Sequence, residues 1–185
     1  MKDFKNLIIL SPLVYVIHHF EEHVIFNFRE WRLKYFLDNN ALSTEEVLLR
    51  LLTVLLVFIF AHSVRKDKGS AHVLLFFLMT TQVVNAFFHI FFSLYFSDFS
   101  PGTITAILLY LPVNYLIIKA ALDEGFVKSL KEIGYIFILG STTFALFEYI
   151  GPTVMQIAFL LSIVYYFISV KFCLLYTSPS PRDRS

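Results

Sequence analysis

Residues 7 to 27 read LIILSPLVYVIHHFEEHVIFN, an apolar run of membrane-spanning length that carries a cluster of ionisable side chains near its end. A helix needs about 20 mostly apolar residues to cross the hydrocarbon core of a bilayer. A carboxylate at the centre of such a helix costs about 2.5 to 3.5 kcal/mol on insertion scales. The neighbouring carboxylates of Glu21 and Glu22 therefore predict that the protein pairs them, protonates them or binds a cation.

The composition of the whole chain is that of a membrane protein. Of its 185 residues 57% are hydrophobic, including 22 Phe and 10 Tyr. The apolar runs are apolar on every face, unlike a soluble amphipathic helix, so the expected solvent is membrane lipid. The net charge of +1 gives no basic surface for nucleic acid. The single cysteine, Cys173, excludes an internal disulfide and a multi-thiolate metal site within one chain.

The hydrophobic pattern predicts an all-α, polytopic transmembrane helical bundle of about six spans, forming one domain over residues 1–172. The predicted spans are residues 7–27, 47–64, 71–96, 103–122, 134–150 and 153–172. Gly151-Pro152 separates the last two, because this pair breaks a helix and suits a tight turn. Lys2 and Lys5 precede the first run without a small-residue cleavage site after it, so we expect an uncleaved first span.

Loop charges predict the orientation of these spans. Lysine and arginine are concentrated on one side, at Lys2, Lys5, Arg65, Lys66, Lys68, Lys128, Lys131 and Lys171. The positive-inside rule then predicts a multi-pass protein of the cell membrane with both termini in the cytoplasm. The connection 28–46 is expected outside. Its Trp31 and Tyr35 favour an interfacial amphipathic segment, and Ser43-Thr44-Glu45-Glu46 indicates the start of the second span.

The ionisable cluster of the first span forms two overlapping patches. Residues three and four apart share a helix face, so His18, Glu21 and Glu22 are predicted to lie together. His19, Glu22 and His23 form the second patch by the same spacing. Because Glu22 belongs to both patches, we expect it to be the first contact of a bound cation or substrate.

Two further spans carry polar residues at a similar depth. Asn85 and His89 are spaced by four residues in the third span, and Glu148 lies in the fifth. Counting about 1.5 Å per residue from the start of each span places all of these residues in the outer half of the membrane. Agreement in depth between separate helices is what a single site assembled across the bundle would produce.

Three short motifs occur in order along the predicted spans. They are His18-x-x-Glu21-Glu22, Asn85-x-x-x-His89 and Pro101-Gly102-Thr103. Together they resemble the HXXEE family of small integral membrane proteins, over about residues 6 to 120. This family is functionally uncharacterised, so the resemblance implies a shared polar site and no particular reaction. The chain differs from the family pattern in adding His19 and His23, which leaves open which histidine leads in a metal site.

A divalent metal centre is the favoured interpretation. Imidazole and carboxylate together suit Zn, Fe or Mn, and three protein ligands with an open position are typical of catalytic sites. His18, Glu22 and His89 are the predicted ligands. Glu21 is expected to act as general base on a water held by the metal, and Asn85 to orient the substrate or an oxyanion. The predicted reaction is hydrolysis or another transformation of a lipid-like substrate that enters sideways from the outer leaflet.

Other interpretations remain open at this point. Buried Glu and His also form proton or cation relays in transporters, which need polar steps through the inner half of the membrane. The candidates for such steps are Gln82, Asn114, Lys119 and His62. The cluster could also serve helix packing alone. His19-Phe-Glu-Glu-His23 matches an inverted zinc-protease motif, and a dinuclear ferritin-like site and axial haem ligation are further alternatives.

The C-terminal segment differs in composition from the rest. Residues 173–185 read CLLYTSPSPRDRS, which resembles a translated cloning or sequencing adapter. A genuine disordered Ser/Pro tail is the alternative. In both cases the segment is kept apart from the membrane domain.

Overall fold

The computed structural model describes residues 3–38 and 42–177, with side chains as far as residue 170. Within these ranges the chain is helical without strands, which confirms the all-α helical bundle. The helices are α1 Phe4–Ile8, α2 Leu10–Phe20, α3 Phe28–Tyr35, α4 Thr44–Arg65, α5 Lys68–Tyr95, α6 Thr103–Asp123, α7 Leu130–Ile150 and α8 Thr153–Thr177. Residues 173–177 of the adapter-like segment continue α8, and the rest of that segment lies outside the described residues.

In the described part of the chain, five helices, α4 to α8, are long and apolar enough to cross a membrane. They correspond to five of the six predicted spans. The predicted start of α4 is correct, since the Ser43 side chain accepts a hydrogen bond from the backbone N–H of Glu46. The predicted break between the last two spans is also correct, because Gly151 ends α7 with a φ of 111° and α8 begins two residues later.

The first predicted span, residues 7–27, is divided in the structure. It consists of α1, α2 and a π-helical turn at Glu21–Ile25, none of which alone has membrane-spanning length. The division follows from Pro12, which has no N–H to donate to the carbonyl of Ile8. The hydroxyl of Ser11 donates to that carbonyl instead, at 2.6 Å. Among the described residues, five single helices thus have the length and composition of a span, and the crossing predicted for residues 7–27 stays a prediction for the divided segment 4–25.

Helix α5 is the centre of the bundle. In its most apolar window 78% of the residues are buried, against 11 to 33% in the other four long helices. It packs against α4, α6, α7 and α8, and its apolar residues Leu74 and Phe77 are fully buried. Large apolar side chains on α4, α7 and α8 remain exposed, as expected for surfaces that contact lipid. The polar side chains of Thr80, Gln82 and His89 in α5 are buried and consequently face protein.

Two of the long helices contain π-helical turns, at Met79–Val83 in α5 and at Ala106–Tyr110 in α6. With the turn at Glu21–Ile25, they make three such turns in the described residues. Turns of this type are frequent at functional sites, because the extra residue changes the direction of the side chains. All three lie on the elements that contribute the polar cluster.

Candidate metal centre

Glu22 is the hub of the buried polar cluster. Its side chain lies at the π-helical turn that follows α2, and the residue is only 2% exposed. Its Oε1 lies 2.8 Å from Nε2 of His89 and 3.4 Å from Nε2 of His18. Its Oε2 contacts Nδ1 of His19 and lies 3.6 Å from Nε2 of His23. One carboxylate is thus surrounded by four imidazoles, and the His/Glu cluster expected from the helical spacing is present.

The ring of His18 is held in one tautomer by its neighbours. Its Nδ1 lies 2.8 Å from the hydroxyl oxygen of Thr105, whose own proton is directed to the carbonyl of Gly102. Nδ1 of His18 therefore donates and Nε2 is unprotonated. The amide of Asn85 donates to this Nε2 at 3.1 Å. The unprotonated nitrogen and the Glu22 carboxylate thus face each other as two acceptors, an arrangement that a cation stabilises.

His89 is arranged in a similar way on the other side of Glu22. It is fully buried, and its Nδ1 lies 2.9 Å from the hydroxyl of Ser100. Its Nε2 is close to Glu22 but misaligned for a hydrogen bond, so this buried atom has no hydrogen-bond partner among the described residues. Nε2 of His89 and Oε1 of Glu22 are thus close together without a hydrogen bond between them. A cation bound beside them could accept a lone pair from each atom.

The donor set fits a divalent metal ion. His18, His19 and Glu22 offer ligand atoms within 4.8 Å of one another, a group that could hold a metal ion. His89 adds a fourth donor in contact with the same carboxylate. In His18 and His89 the second ring nitrogen, Nδ1, already bonds to a hydroxyl. Metal-binding histidines are commonly oriented by a hydrogen bond at the nitrogen that does not bind the metal. Zn, Fe and Mn are ions that bind both imidazole nitrogen and carboxylate oxygen.

Glu21 has different partners from its neighbour. Its carboxylate accepts hydrogen bonds from the backbone N–H groups of Gly102, Ile104 and Thr105, at 3.1, 3.2 and 2.7 Å. These donors lie at the start of α6, where unpaired N–H groups and the helix dipole favour a negative charge. Glu21 thereby joins the end of α2 to α6. Its predicted role as a general base stays a prediction, and its observed contacts are those of an anchor.

Gly102 lets the backbone approach the cluster closely. Its φ is 97°, a conformation that favours glycine. A Cβ atom at this position would lie 2.9 Å from Cγ of Glu22 and from Cε1 of His18, and 3.0 Å from Cε1 of His89. The Pro101-Gly102-Thr103 motif is therefore part of the site, because its backbone packs directly on three of the candidate ligands.

A cavity of about 120 Å³ adjoins the cluster. Glu22, His19 and Asn85 line one part of it, and Glu148 lines another. Three of the polar residues predicted at one depth, Glu22, Asn85 and Glu148, thus line a common space from three different helical segments. Glu148 forms an ion pair with Arg32 of α3 at 3.1 Å, and both residues have further contacts.

Sequence reasoning missed three residues of this region. Arg32 reads as a loop charge, and Ser100 carries no motif beyond lying beside Pro101. Thr105 reads only as a polar residue near the start of the fourth predicted span, with no sign of its bond to His18. For Arg32 a signal was available, because a carboxylate as deeply placed as Glu148 requires a cationic partner. For the two hydroxyls no signal existed, because their partners are 11 and 87 residues away.

The fold and the cluster define a class of protein: an all-helical protein with five helices able to cross a membrane and a buried His/Glu site. The profile of a family described as "Protein of unknown function with HXXEE motif" matches residues 9–117. This is more than half of the chain, and the chain belongs to the HXXEE family. Neither a curated protein nor a solved structure matches it.

Proposed function

We propose that this chain is a multi-pass membrane protein that binds one divalent metal ion through His18, Glu22 and His89 and hydrolyses a lipid-like substrate. The observation that carries this proposal is the approach of two imidazole Nε2 atoms to one carboxylate oxygen of Glu22. Three protein ligands leave a coordination position for substrate, as in catalytic centres. We further propose that the site lies in the outer half of the cell membrane, with both termini in the cytoplasm.

The residues around the ligands hold them in place. Thr105 and Ser100 fix the rings of His18 and His89, and Glu21 fixes the start of α6 against them. A cation on Nε2 of His18 would replace the hydrogen bond from Asn85. The Asn85 amide would then be available to the cavity that it lines, where it could orient the polar group of a substrate.

His19 is the proposed proton acceptor. Its Nδ1 contacts Oε2 of Glu22, and its ring lines the cavity. A carboxylate that holds one nitrogen of an imidazole orients the other as a base. Glu21, the base predicted from the sequence, is less suited to this role, because its oxygens already accept three backbone N–H groups. A bound divalent ion would supply Lewis-acid polarisation of the substrate and lower the pKa of water.

The contacts of Gln82 and Asn114 support a one-sided site over a transport path. The Asn114 amide donates to the Gln82 side chain and to the Tyr110 carbonyl, and the Gln82 amide donates to the Ser11 carbonyl. These bonds join α2, α5 and α6 and satisfy the two side chains. Such contacts are typical of helix packing in membranes. Transport therefore stays the alternative to test if no metal is found.

Elemental analysis of the detergent-purified protein tests the metal centre. We expect about one equivalent of Zn, Fe or Mn per chain, lost in Glu22→Gln and in His89→Gln. His62→Gln is the matched control, because His62 is also buried with Nδ1 on a serine hydroxyl but has no carboxylate at ion-pair distance among the described residues. A parent protein without metal under non-chelating conditions, with folded variants, would refute the metal centre.

Hydrolysis is tested on a panel of ester- and amide-linked lipids in detergent. We expect release of the free acyl chain by the parent, and loss of this activity after removal of the metal by a chelator. His19→Gln should retain the metal and lose at least tenfold in rate, since general-base catalysis contributes roughly 10²–10⁴-fold. A metal-free His19→Gln protein would show instead that His19 is a ligand.

A further inference from the structure

An apolar groove of about 570 Å³ runs along the outside of the bundle between α4 and α8. It shares part of its lining with the cavity at the candidate metal centre. The shared residues are Leu42, Val47, Leu51, Phe147 and Met155. The groove and the cavity are therefore neighbouring spaces, separated by a common wall of apolar side chains.

The groove is apolar along its length. Phe58 of α4 and Phe159 of α8 form its floor, with ring centroids 6.2 Å apart in an edge-on arrangement. Of the polar side chains that line it, Arg50 bonds to Glu46, the hydroxyl of Thr53 donates to the carbonyl of Leu49, and Gln156 is exposed. Such a lining offers few hydrogen bonds to a polar ligand and suits a hydrocarbon chain.

The length of the groove matches one leaflet of a bilayer. From Val47 to Phe58 the wall formed by α4 advances by 11 residue steps. At a rise of 1.5 Å per residue this is about 16 Å, close to half of the ~30 Å hydrocarbon core. The polar cavity lies at the end of the groove where Leu42 and Val47 line both spaces. An acyl chain of a single leaflet would fill the groove with its polar end at the cavity.

We infer that the groove between α4 and α8 binds the acyl chain of the substrate and directs its polar end to the cavity lined by Glu22 and His19. The chemistry at that end rests on the proposed function, whereas binding of the chain does not. The substrate class is consequently a lipid with at least one long acyl chain. It enters from the bilayer between α4 and α8, because the groove opens on the outside of the bundle.

Photolabelling with palmitic acid that carries a diazirine near its methyl end tests this inference. The purified full chain is labelled with and without excess ordinary palmitic acid, and adducts are mapped by mass spectrometry. We expect adducts on α4 and α8 that the competitor reduces at least fivefold. The metal content of each sample is measured in parallel, so that loss of the chain site and loss of the metal centre can be told apart.

Two neighbouring residues of α8 provide a matched pair of variants. Leu160 lines the groove, Leu161 lines a separate apolar groove formed with α5 and α7, and each is 61% exposed. Leu160→Trp should abolish the competed adducts, and Leu161→Trp should retain them, with metal content unchanged in both. Adducts that the competitor does not reduce, or equal labelling of the two variants, would overturn the inference. Competed, Leu160-dependent adducts on a metal-free parent would support the chain site and refute only the metal centre.

Discussion

Glu21 and Glu22 are adjacent in the sequence, yet their carboxylates bind different parts of the protein. Glu22 contacts histidines of α2 and α5, whereas Glu21 accepts backbone N–H groups at the start of α6. Helical spacing correctly predicts the approach of His18 and His19 to Glu22, because these pairs lie within one turn. It does not predict the partners of Glu21, since backbone N–H groups 81 to 84 residues away leave no mark in the sequence.

Gly102→Ala should disrupt the cluster. An alanine here would meet two penalties, a left-handed backbone worth about 1–2 kcal/mol and a Cβ atom 2.9 Å from Glu22 and His18. Gly125 is a suitable control, because its φ of 73° carries the same backbone penalty while its Cβ would contact nothing within 4 Å. We expect both variants to lower the thermal midpoint, and only Gly102→Ala to lose bound metal.

Equal effects of the two glycine substitutions on metal content would contradict the close packing of the Gly102 backbone on the ligands. Retention of the thermal midpoint in Gly125→Ala would show that the backbone penalty is small at that turn. The comparison therefore separates the conformational role of Gly102 from its steric role.

At the level of elements, α3 is fixed to α7 by an ion pair. Nε and Nη2 of Arg32 donate to one carboxylate oxygen of Glu148, at 3.2 and 3.1 Å, and Nη1 donates to the carbonyl of Leu37. Trp31, the neighbouring residue, is also buried and packs against Phe28 and Phe96. The connection after α2 is thus part of the packed structure, where the sequence indicated only an interfacial segment.

Arg32→Gln should destabilise the protein, by less than the ~3–5 kcal/mol lost when a fully buried ion pair is broken, because the Glu148 side chain is 16% exposed and keeps its other contacts. The double variant Arg32→Gln with Glu148→Gln should be less destabilised than the single one, since it also removes the carboxylate charge that Arg32 offsets. Thermal unfolding in detergent gives the comparison. A double variant that is less stable than Arg32→Gln would indicate that the further contacts of these residues dominate.

The pH dependence of α3 can be followed at Tyr35. Its hydroxyl donates to Asp98 at 2.8 Å, and this hydrogen bond raises the pKa of Tyr35 above its ordinary value of 10.0. A raised pKa means that the contact is present below pH 10 and is lost as the pH rises through the folded pKa. Trp31, the only tryptophan, lies 5.4 Å from the Tyr35 ring and reports its ionisation by quenching.

The fluorescence of Trp31 should therefore fall with a midpoint above pH 10 in the parent protein. In Asp98→Asn the midpoint should move to lower pH, because the carboxylate no longer accepts the phenol proton. Asp38→Asn, which removes a different carboxylate from the same region, is the control and should leave the midpoint unchanged. A parent midpoint at or below 10 would contradict the hydrogen bond between Tyr35 and Asp98.

For the whole molecule, the apolar run lengths predict about six spans, because burial in lipid requires about 20 apolar residues whatever their partners, and five of these spans are single long helices among the described residues. The division of the first run is less predictable, although Pro12 indicates where the chain can break. The central place of α5 has no signal in hydropathy, since an apolar face toward lipid and one toward protein have the same composition. It is the polar residues Gln82, Asn85 and His89 that distinguish α5, because they require protein partners.

The topology prediction is tested with single cysteines in a Cys173→Ser background. When the first 25 residues cross the membrane, Asp98→Cys lies outside and should be labelled by a membrane-impermeant maleimide. Asp3→Cys and Asp67→Cys then lie inside and should be labelled only after permeabilisation. Labelling of Asp3→Cys and Asp98→Cys from the same side would show that α1 and α2 do not cross. Asp67→Cys serves as the internal control for sealed membranes.

The bond between Glu21 and the backbone of Gly102 also has a consequence in time. The two residues are 81 positions apart, and ribosomes add about 5–20 residues per second. Glu21 and Glu22 are therefore made roughly 4 to 16 seconds before the backbone N–H groups that bind Glu21. During this interval the charged end of α2 has no partner and is expected to wait at the membrane surface. It would enter its final place only when α5 and the start of α6 arrive, so the site cannot assemble before Thr105 has been added to the chain.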